Sequence, residues 1–272
     1  VNDEIGRMTT LLNEMLERLH AALEANRRFA ADASHELRSP LTAMAGEIDV
    51  ALMRQRSPDE YRETLTVVRE RLDELVALTE NLMLLVRAAE PQHEVVVKEV
   101  ALRPLLEDAV SRTRSAARAR NITVELAELP PLVVYGDARL LARVFDNVVT
   151  NAVQYNRQAG RVTIRGRVED ALPDAWETGS VVVTVADTGS GIPREYWQKV
   201  FDRFYRLDRS RSRRTGGTGL GLALCRTIVG LFRGSIVIAA SSPEGTTFEI
   251  RLPGQRLPAQ PLKPLVSEIQ AS

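Results

Sequence analysis

The sequence contains a single cysteine, Cys225. One thiol excludes an internal disulfide and argues against a cysteine-based metal site. Cys225 lies in an apolar helical run and reads as a small buried hydrophobe. Net charge is absent as well: 36 Lys and Arg balance 36 Asp and Glu. Nothing in that balance favours a nucleic acid or an anionic membrane as partner. No apolar run approaches the ~18 residues of a membrane span, and there is no secretory signal pattern. The chain starts at Val1 in the middle of a helical repeat, so an upstream part is expected to precede it.

What is present first is helical periodicity. Ile5, Met8, Leu12, Met15, Leu19 and Ala22 alternate steps of three and four, a heptad seam. The seam continues through Phe29, Ala33, Leu37, Leu41, Met44, Ile48 and Ala51, where consecutive steps of four form a stutter. Ser57-Pro58-Asp59-Glu60 is a helix restart, with Ser at N-cap, Pro at N1 and Glu at N3. The second helix repeats Tyr61, Leu65, Val68, Leu72, Leu75, Thr79 and Leu82. Two heptad helices joined by a short turn make an antiparallel hairpin. One hairpin has little core of its own, so two are expected to close a four-helix bundle in a homodimer.

The stutter surrounds Ser34-His35-Glu36-Leu37-Arg38-Ser39-Pro40-Leu41. At about 100° per residue, His35 points away from the seam and into water. An imidazole there is a usable nucleophile, and Glu36 beside it could orient it or take its proton. Pro40 predicts a bend just after the histidine. A lone surface histidine on a helix usually does nothing; His20 and His93 are read that way.

From residue 94 the pattern changes to mixed strands and helices. Strands are expected at 95–100, 122–126, 132–135, 162–168, 181–186, 236–240 and 246–252. Helices are expected at 102–120 and from Asp137 through Asn156, with a polar loop over 170–180. This is an α/β sandwich ending near residue 253, followed by a proline-containing tail over 254–272 that is expected to be disordered.

Three stretches of the second domain point to a nucleotide site. Asn147 and Asn151 are four residues apart on one helix, so both amides project from one face. Their carbonyl oxygens suit Mg²⁺ together with phosphate oxygens; alone, such a pair is more often two solvent-facing amides. Asp187-Thr188-Gly189-Ser190-Gly191 follows a strand. A carboxylate there can accept a hydrogen bond from an exocyclic amine, while the glycines admit a planar base; the same string also occurs in plain turns. Gly216-Gly217-Thr218-Gly219-Leu220-Gly221 opens an apolar helix whose first N–H groups can face phosphate. It fits neither a P-loop nor a dinucleotide fingerprint. A basic loop with Arg209, Arg211, Arg213 and Arg214 lies between the last two stretches and reads as a lid or as a solvated loop.

The order and spacing of these segments resemble the cytoplasmic part of bacterial two-component sensor histidine kinases. SHELRSPL resembles the H box, FDNVVTNAVQYN the N box, DTGSGIP the G1 box, VFDRFYR the F box and GGTGLGL the G2 box. The resemblance implies four parts: the end of a HAMP-like signalling helix (1–24), a dimerisation and phosphotransfer hairpin (25–90), an ATP-binding domain of the gyrase, Hsp90 and MutL type, the GHKL or Bergerat fold (94–253), and the tail. It implies ATP and Mg²⁺ as cofactors. His35 would be the phosphoacceptor, Glu36 its base, and Ser39 a residue aiding removal of phosphate from the partner. Asn147 and Asn151 would hold the metal. Asp187 would bind adenine, with Gly189, Gly191 and Tyr155 around the nucleoside. Arg206 would approach the terminal phosphate, and Gly217, Gly219 and Gly221 would end the lid. The final acceptor would be an aspartate on a response-regulator receiver domain, and a transmembrane sensor would lie upstream, placing this portion on the cytoplasmic side of the cell membrane. Gln154 departs from the pattern, standing where many relatives carry Lys, Arg or His; Arg157 is the nearest substitute. Two other readings stand beside this one. The first is a different enzyme of the same ATP fold, for which the hairpin with His35 has no use. The second is a signalling module without catalysis, which the intact Asn, Asp and Gly set disfavours.

Overall fold

The structure, a computed structural model, describes residues 2–87, 97–169, 179–207 and 218–256. The chain divides into two compact units, Val1–Val86 and Arg87–Ser272. His93, the polar loop at 170–178, the arginines of the basic loop and the tail from residue 257 lie outside the described residues.

The first unit is helix α1 (Asn2–Leu52) followed by α2 (Pro58–Arg87). α1 continues through Pro40. The restart at Ser57 is a reciprocal capping box. The Ser57 N–H donates to Glu60 Oε2 at 2.9 Å, and the Glu60 N–H donates back to Ser57 Oγ at 3.3 Å. The Ser57 N–H and the Ser57 hydroxyl, both donating to its carboxylate, hold Glu60 below its ordinary pKa.

The phase of the hairpin seam differs from the expected one. On α2 the covered positions include Tyr61, Thr64, Val68, Arg71, Leu75, Leu78, Leu82 and Leu85, an unbroken alternation of three and four. Leu78 and Leu85 are fully buried, whereas Leu65 is 65% exposed and Leu72 is 48% exposed. On α1, Met44 and Ala51 are buried while Leu41 and Ile48 are exposed. Two heptad registers one residue apart share Tyr61, Val68, Leu75 and Leu82. The apolar side chains at 65 and 72 point to the wrong one, because Thr64 and Arg71 occupy the inner positions. Leu65, Leu72, Val76, Met83 and Val86 thus form a second, outward stripe.

The second unit is a seven-stranded sheet with helices against it. In chain order it comprises β1 (Lys98–Ala101), α3 (Leu102–Ala119), β2 (Thr123–Leu126), β3 (Leu132–Gly136), α4 (Ala138–Gln154), β4 (Arg161–Glu169) and β5 (Ser180–Asp187). Two 3₁₀ turns, Arg194–Tyr196 and Lys199–Phe201, precede α5 (Gly221–Leu231), β6 (Ser235–Ser242) and β7 (Gly245–Arg256). The strand order is β1-β3-β7-β5-β4-β2; only β2 and β4 run parallel. β7 organises the sheet. β5 pairs along one edge, while β6 and β3 share the other, β3 taking the last residues through Val134↔Gly254. Strand β7 therefore runs to Arg256, so the tail expected from residue 254 starts later. The strand persists because β3 offers it a ladder beyond the end of β6.

Burial alternates strictly along β7, with Thr246, Phe248, Ile250 and Leu252 inward. Phe145 and Val148 of α4 and Leu224 and Ile228 of α5 are fully buried on the helical side. Cys225 is fully buried, its Sγ 3.6 Å from the Val144 carbonyl, and burial pushes the thiol's pKa up, leaving it inert.

Helix α4 is fixed at both ends. Asp137 caps its start, accepting from the Arg139 and Leu140 N–H groups. At its end the Arg120 guanidinium donates to the carbonyls of Val153, Gln154 and Asn156, where a cation also complements the helix dipole. Asn156 is buried and saturated. Its Nδ2 donates to the Ala152 and Arg161 carbonyls, and its Oδ1 accepts from the Arg157 N–H and the Thr188 hydroxyl. Asn156→Ala should cost about 2–4 kcal/mol in urea unfolding, since it orphans several buried polar groups at once. A loss below about 1 kcal/mol would mean that this junction is held elsewhere.

Candidate functional site

α4 is the spine of the site. From Asn147 to Tyr155 it advances about 12 Å, enough to set a base at one end and phosphates towards the other. Asp187 ends β5 beside the C-terminal end of this helix. Its Oδ1 accepts the Gly189 N–H at 2.7 Å and the Thr246 N–H at 3.3 Å. Both bonds fall on one oxygen, which leaves Oδ2 for a ligand. Burial raises the carboxyl's pKa, and the two N–H groups offset this only in part.

The glycines are close-approach positions. A Cβ on Gly189 would stand 2.5 Å from the Tyr155 carbonyl oxygen, and one on Gly191, at φ +73°, would stand 1.9 Å from that of Ser242. Tyr155 itself is half exposed at the C-cap of α4. The structure thus brings Asp187, Gly189 and the Tyr155 carbonyl into contact, with Gly191 further along the same loop against the final hairpin.

The other half of the site lies one to two turns up α4. Asn147 Nδ2 donates to the Arg143 carbonyl, and a Cβ on Gly221 would lie 2.9 Å from Asn147 Oδ1. The start of α5 therefore sits directly on this amide. Asn151 is half-buried between Asn147 and Tyr155. Gly219, at φ +73°, packs on Phe204, whose N–H donates to the Gly219 carbonyl at 3.0 Å and whose own φ is +60°. Two residues on, Arg206 has its Nε and one terminal nitrogen buried without a hydrogen-bond partner among the described residues. A half-buried guanidinium with two such nitrogens fits an anion. Gly217 lies outside the described residues.

His35 and Ser39 are exposed on α1, and Glu36 between them is half-buried. The histidine faces solvent as its phase on the helix demands. These three belong to the first unit and the nucleotide-type residues to the second. Among the described residues, no group of three or more His, Cys, Asp or Glu could hold a metal ion, so a cation here would rely on amide and phosphate oxygens.

Sequence reasoning missed Thr246, Ser241, Asn156, Thr188 and Arg120. Asn156 stands at the end of the asparagine stretch, and Thr188 follows Asp187 directly, yet their mutual bond spans 32 positions. Thr246 and Ser241 reach the Asp187 loop from the final hairpin, with no local pattern to mark them.

A raised carboxyl pKa has a signed consequence. Folding favours protonated Asp187, so its stabilising contribution is full below the unfolded-state pKa and lost as pH rises through the folded-state value. Asp187→Asn keeps an acceptor on Oδ1 without the charge. Thermal unfolding of the nucleotide-free protein should show this variant more stable than wild type at about pH 7, the gap closing towards about pH 4. A variant that is less stable at neutral pH would mean the carboxylate is compensated in the free protein.

Comparison with known proteins matches the same two units. Residues 25–91 match the His Kinase A (phospho-acceptor) domain, and residues 136–256 match the histidine kinase-, DNA gyrase B- and HSP90-like ATPase family. The signal transduction histidine-protein kinase BaeS of Escherichia coli is 31% identical over 256 residues, covering 93% of this chain and 52% of that protein. The probable sensor histidine kinase TcrY of Mycobacterium tuberculosis is 35% identical over 257 residues, covering 92% and 52%. The chain thus spans about half the length of these curated relatives. Among solved structures, Acinetobacter baumannii histidine kinase AdeS shares the fold, with a TM-score of 0.62 at 21% identity over 80% of this chain and 97% of that one. Histidine kinase ThkA, solved in complex with response regulator protein TrrA, has a TM-score of 0.60 at 23% identity, covering 82% of this chain and 60% of that one. No helix among the described residues is long and apolar enough to cross a membrane. With an exposed histidine on a phospho-acceptor hairpin, and a carboxylate, two amides and glycines ordered along one helix of an ATPase domain, the chain belongs to the sensor histidine kinases of bacterial two-component systems and carries their phospho-acceptor and ATPase domains.

Proposed function

We propose that this chain transfers the γ-phosphoryl group of ATP to a ring nitrogen of His35, and then to an aspartate of a response-regulator receiver domain. The observation that carries the proposal is Asp187: a desolvated carboxylate with one oxygen tied to backbone N–H groups and the other left for the exocyclic amine of adenine. In the first step the imidazole lone pair attacks the γ-phosphorus, the bond to the β-phosphate oxygen breaks and ADP leaves. Glu36 orients the imidazole or takes its proton. In the second step a carboxylate oxygen of the partner attacks the phosphorus and the P–N bond breaks.

Such transfer depends on position and charge. Asn147 and Asn151 are the residues that would hold Mg²⁺, which supplies neutralisation of the phosphate charge when bound. The idle donors of Arg206 answer the terminal phosphate. Gly219 and Gly221 let backbone close over it, with Gly217 continuing the same glycine run. Gly189, Gly191 and Tyr155 border the base and nucleoside. Ser39, one turn after His35, is placed to hold a water against a phospho-aspartate docked there, which would give the protein phosphatase activity towards its partner.

Labelling with γ-labelled ATP tests the acceptor. Wild type should gain acid-labile, alkali-stable label, and His35→Gln should lose it while still binding ATP. Asn151→Ala should cut the labelling rate at least about tenfold, as expected for loss of a group acting on transition-state charge. Stable label on His35→Gln, or an unchanged rate in Asn151→Ala, would overturn the respective assignment.

Assembly follows from the outward stripe of α2. Leu65, Leu72, Val76, Met83 and Val86 are apolar and uncovered in one chain. We assign them to a homodimer interface that completes a four-helix bundle. Leu72→Glu paired with Met83→Glu would bury uncompensated charge there, at several kcal/mol. Sedimentation should give monomers for this double variant and dimers for wild type; a surviving dimer would place the interface on another face.

A further inference from the structure

The final hairpin reaches back to the nucleotide-type loop through one side chain. Ser241 Oγ accepts the Ile192 N–H at 2.7 Å and meets Thr246 Oγ1 at 3.0 Å, with the Gly245 carbonyl at 3.4 Å as a second acceptor. Ile192 lies in the loop that follows Asp187, and Thr246 is the residue whose N–H binds Asp187 Oδ1. The backbones on either side interlock. A Cβ on Gly191 would lie 1.9 Å from the Ser242 carbonyl oxygen, and one on Gly245, at φ +151°, would lie 1.9 Å from that of Asp187. Thr246 is buried, and Ser241 is half-buried just past a register shift in the β6–β7 ladder. Thr246 is the cross-strand neighbour of Ser241 in that ladder, so one hydroxyl meets both the turn and the loop.

We propose that Ser241 is a positioning residue for base selection. Its hydroxyl sets the distance between the Gly189–Ile192 loop and the β6–β7 turn, and thereby the direction in which Asp187 Oδ2 faces the base. The proposal rests on the reading of Asp187 as the adenine acceptor. A carboxylate held in that direction accepts from the 6-amino group of adenine and repels the 6-oxo group of guanine, so discrimination depends on how rigidly it is held. Without the Ser241 hydroxyl, the Ile192 N–H and the Thr246 hydroxyl lose their partner, the turn and the loop slip against each other, and Oδ2 gains freedom to turn away.

The test is a comparison of ADP and GDP affinities, by titration calorimetry on the full chain with Mg²⁺ present. Ser241→Ala should lower the ADP-over-GDP preference about fivefold to tenfold, the scale of one buried hydrogen bond lost, and Ser241→Thr, which keeps the hydroxyl, should restore it. General destabilisation weakens both nucleotides together and leaves the ratio unmoved. An unchanged ratio in Ser241→Ala overturns the proposal, as does failure of Ser241→Thr to restore it. If Ser241→Ala does not fold, Ser241→Cys, of similar shape but a weak acceptor, is judged by the same ratio. Asp187→Asn is measured in parallel. If it keeps wild-type ADP affinity, the adenine reading itself fails; if it loses ADP while Ser241→Ala keeps the ratio, only the role of Ser241 fails.

Discussion

The ATPase-type unit is built around a partly desolvated carboxylate. Taking Asp187 out of water raises its pKa, and an ionised group in such a place must be given donors. Here both donors are backbone N–H groups, from Gly189 and Thr246. Backbone can approach that closely only where no Cβ intervenes. Gly189, Gly191 and Gly245 satisfy this requirement, each standing where an added Cβ would collide with carboxylate or carbonyl oxygen. Gly189 serves the carboxylate directly, whereas Gly191 and Gly245 let the β6–β7 turn, which brings the Thr246 donor, close on the loop. The same arrangement is costly in the free protein, as expected for a site whose electrostatics are completed by a ligand.

Around that carboxylate, α4 works as a ruler. Its end is held by Arg120 and Asn156, which together engage the carbonyls of Ala152, Val153, Gln154, Asn156 and Arg161. An α-helix leaves its last carbonyls unpaired and negative. Left bare, that end would add negative potential beside Asp187. The Arg120 cation cancels it locally and fixes Tyr155, on whose carbonyl Gly189 rests. On the proposed reading the phosphates of a nucleotide lie one to two turns from this end, towards Asn147, the start of α5 and the donors of Arg206.

How much of this was legible in the sequence depends on the range of each interaction. Local patterns carried most elements: the capping box at Ser57, the Asp137 cap, the alternating strands and the order of the asparagine, aspartate and glycine motifs. Asp187, Gly189 and Gly191 could be marked in advance because the residues that make the loop are its own neighbours. Ser241, Thr246 and Arg120 could not, because each acts on a segment 33 or more positions away and carries no local signal. The end of β7 was misplaced for a related reason. Its final residues are strand only because β3 pairs with them, and that pairing is invisible to a reading that stops at Pro253.

The hairpin shows a different limit. Periodicity is blind to phase when adjacent positions are both compatible with a heptad. Choosing Leu65 and Leu72 over Thr64 and Arg71 is the natural choice if a seam is taken to be the most apolar line. The helix instead carries two lines. The inner one tolerates Thr64 and Arg71 because it also contains Leu78 and Leu85, the most buried side chains of this unit. The outer one keeps Leu65, Leu72, Val76, Met83 and Val86 in water. A single chain gains nothing from that arrangement, because exposing several large apolar side chains along one helix face forfeits about 25 cal/mol per Å² of what burial would return. It becomes favourable only when a second surface covers the line. A helix that carries a second apolar stripe facing outward is therefore one whose stability is tied to association.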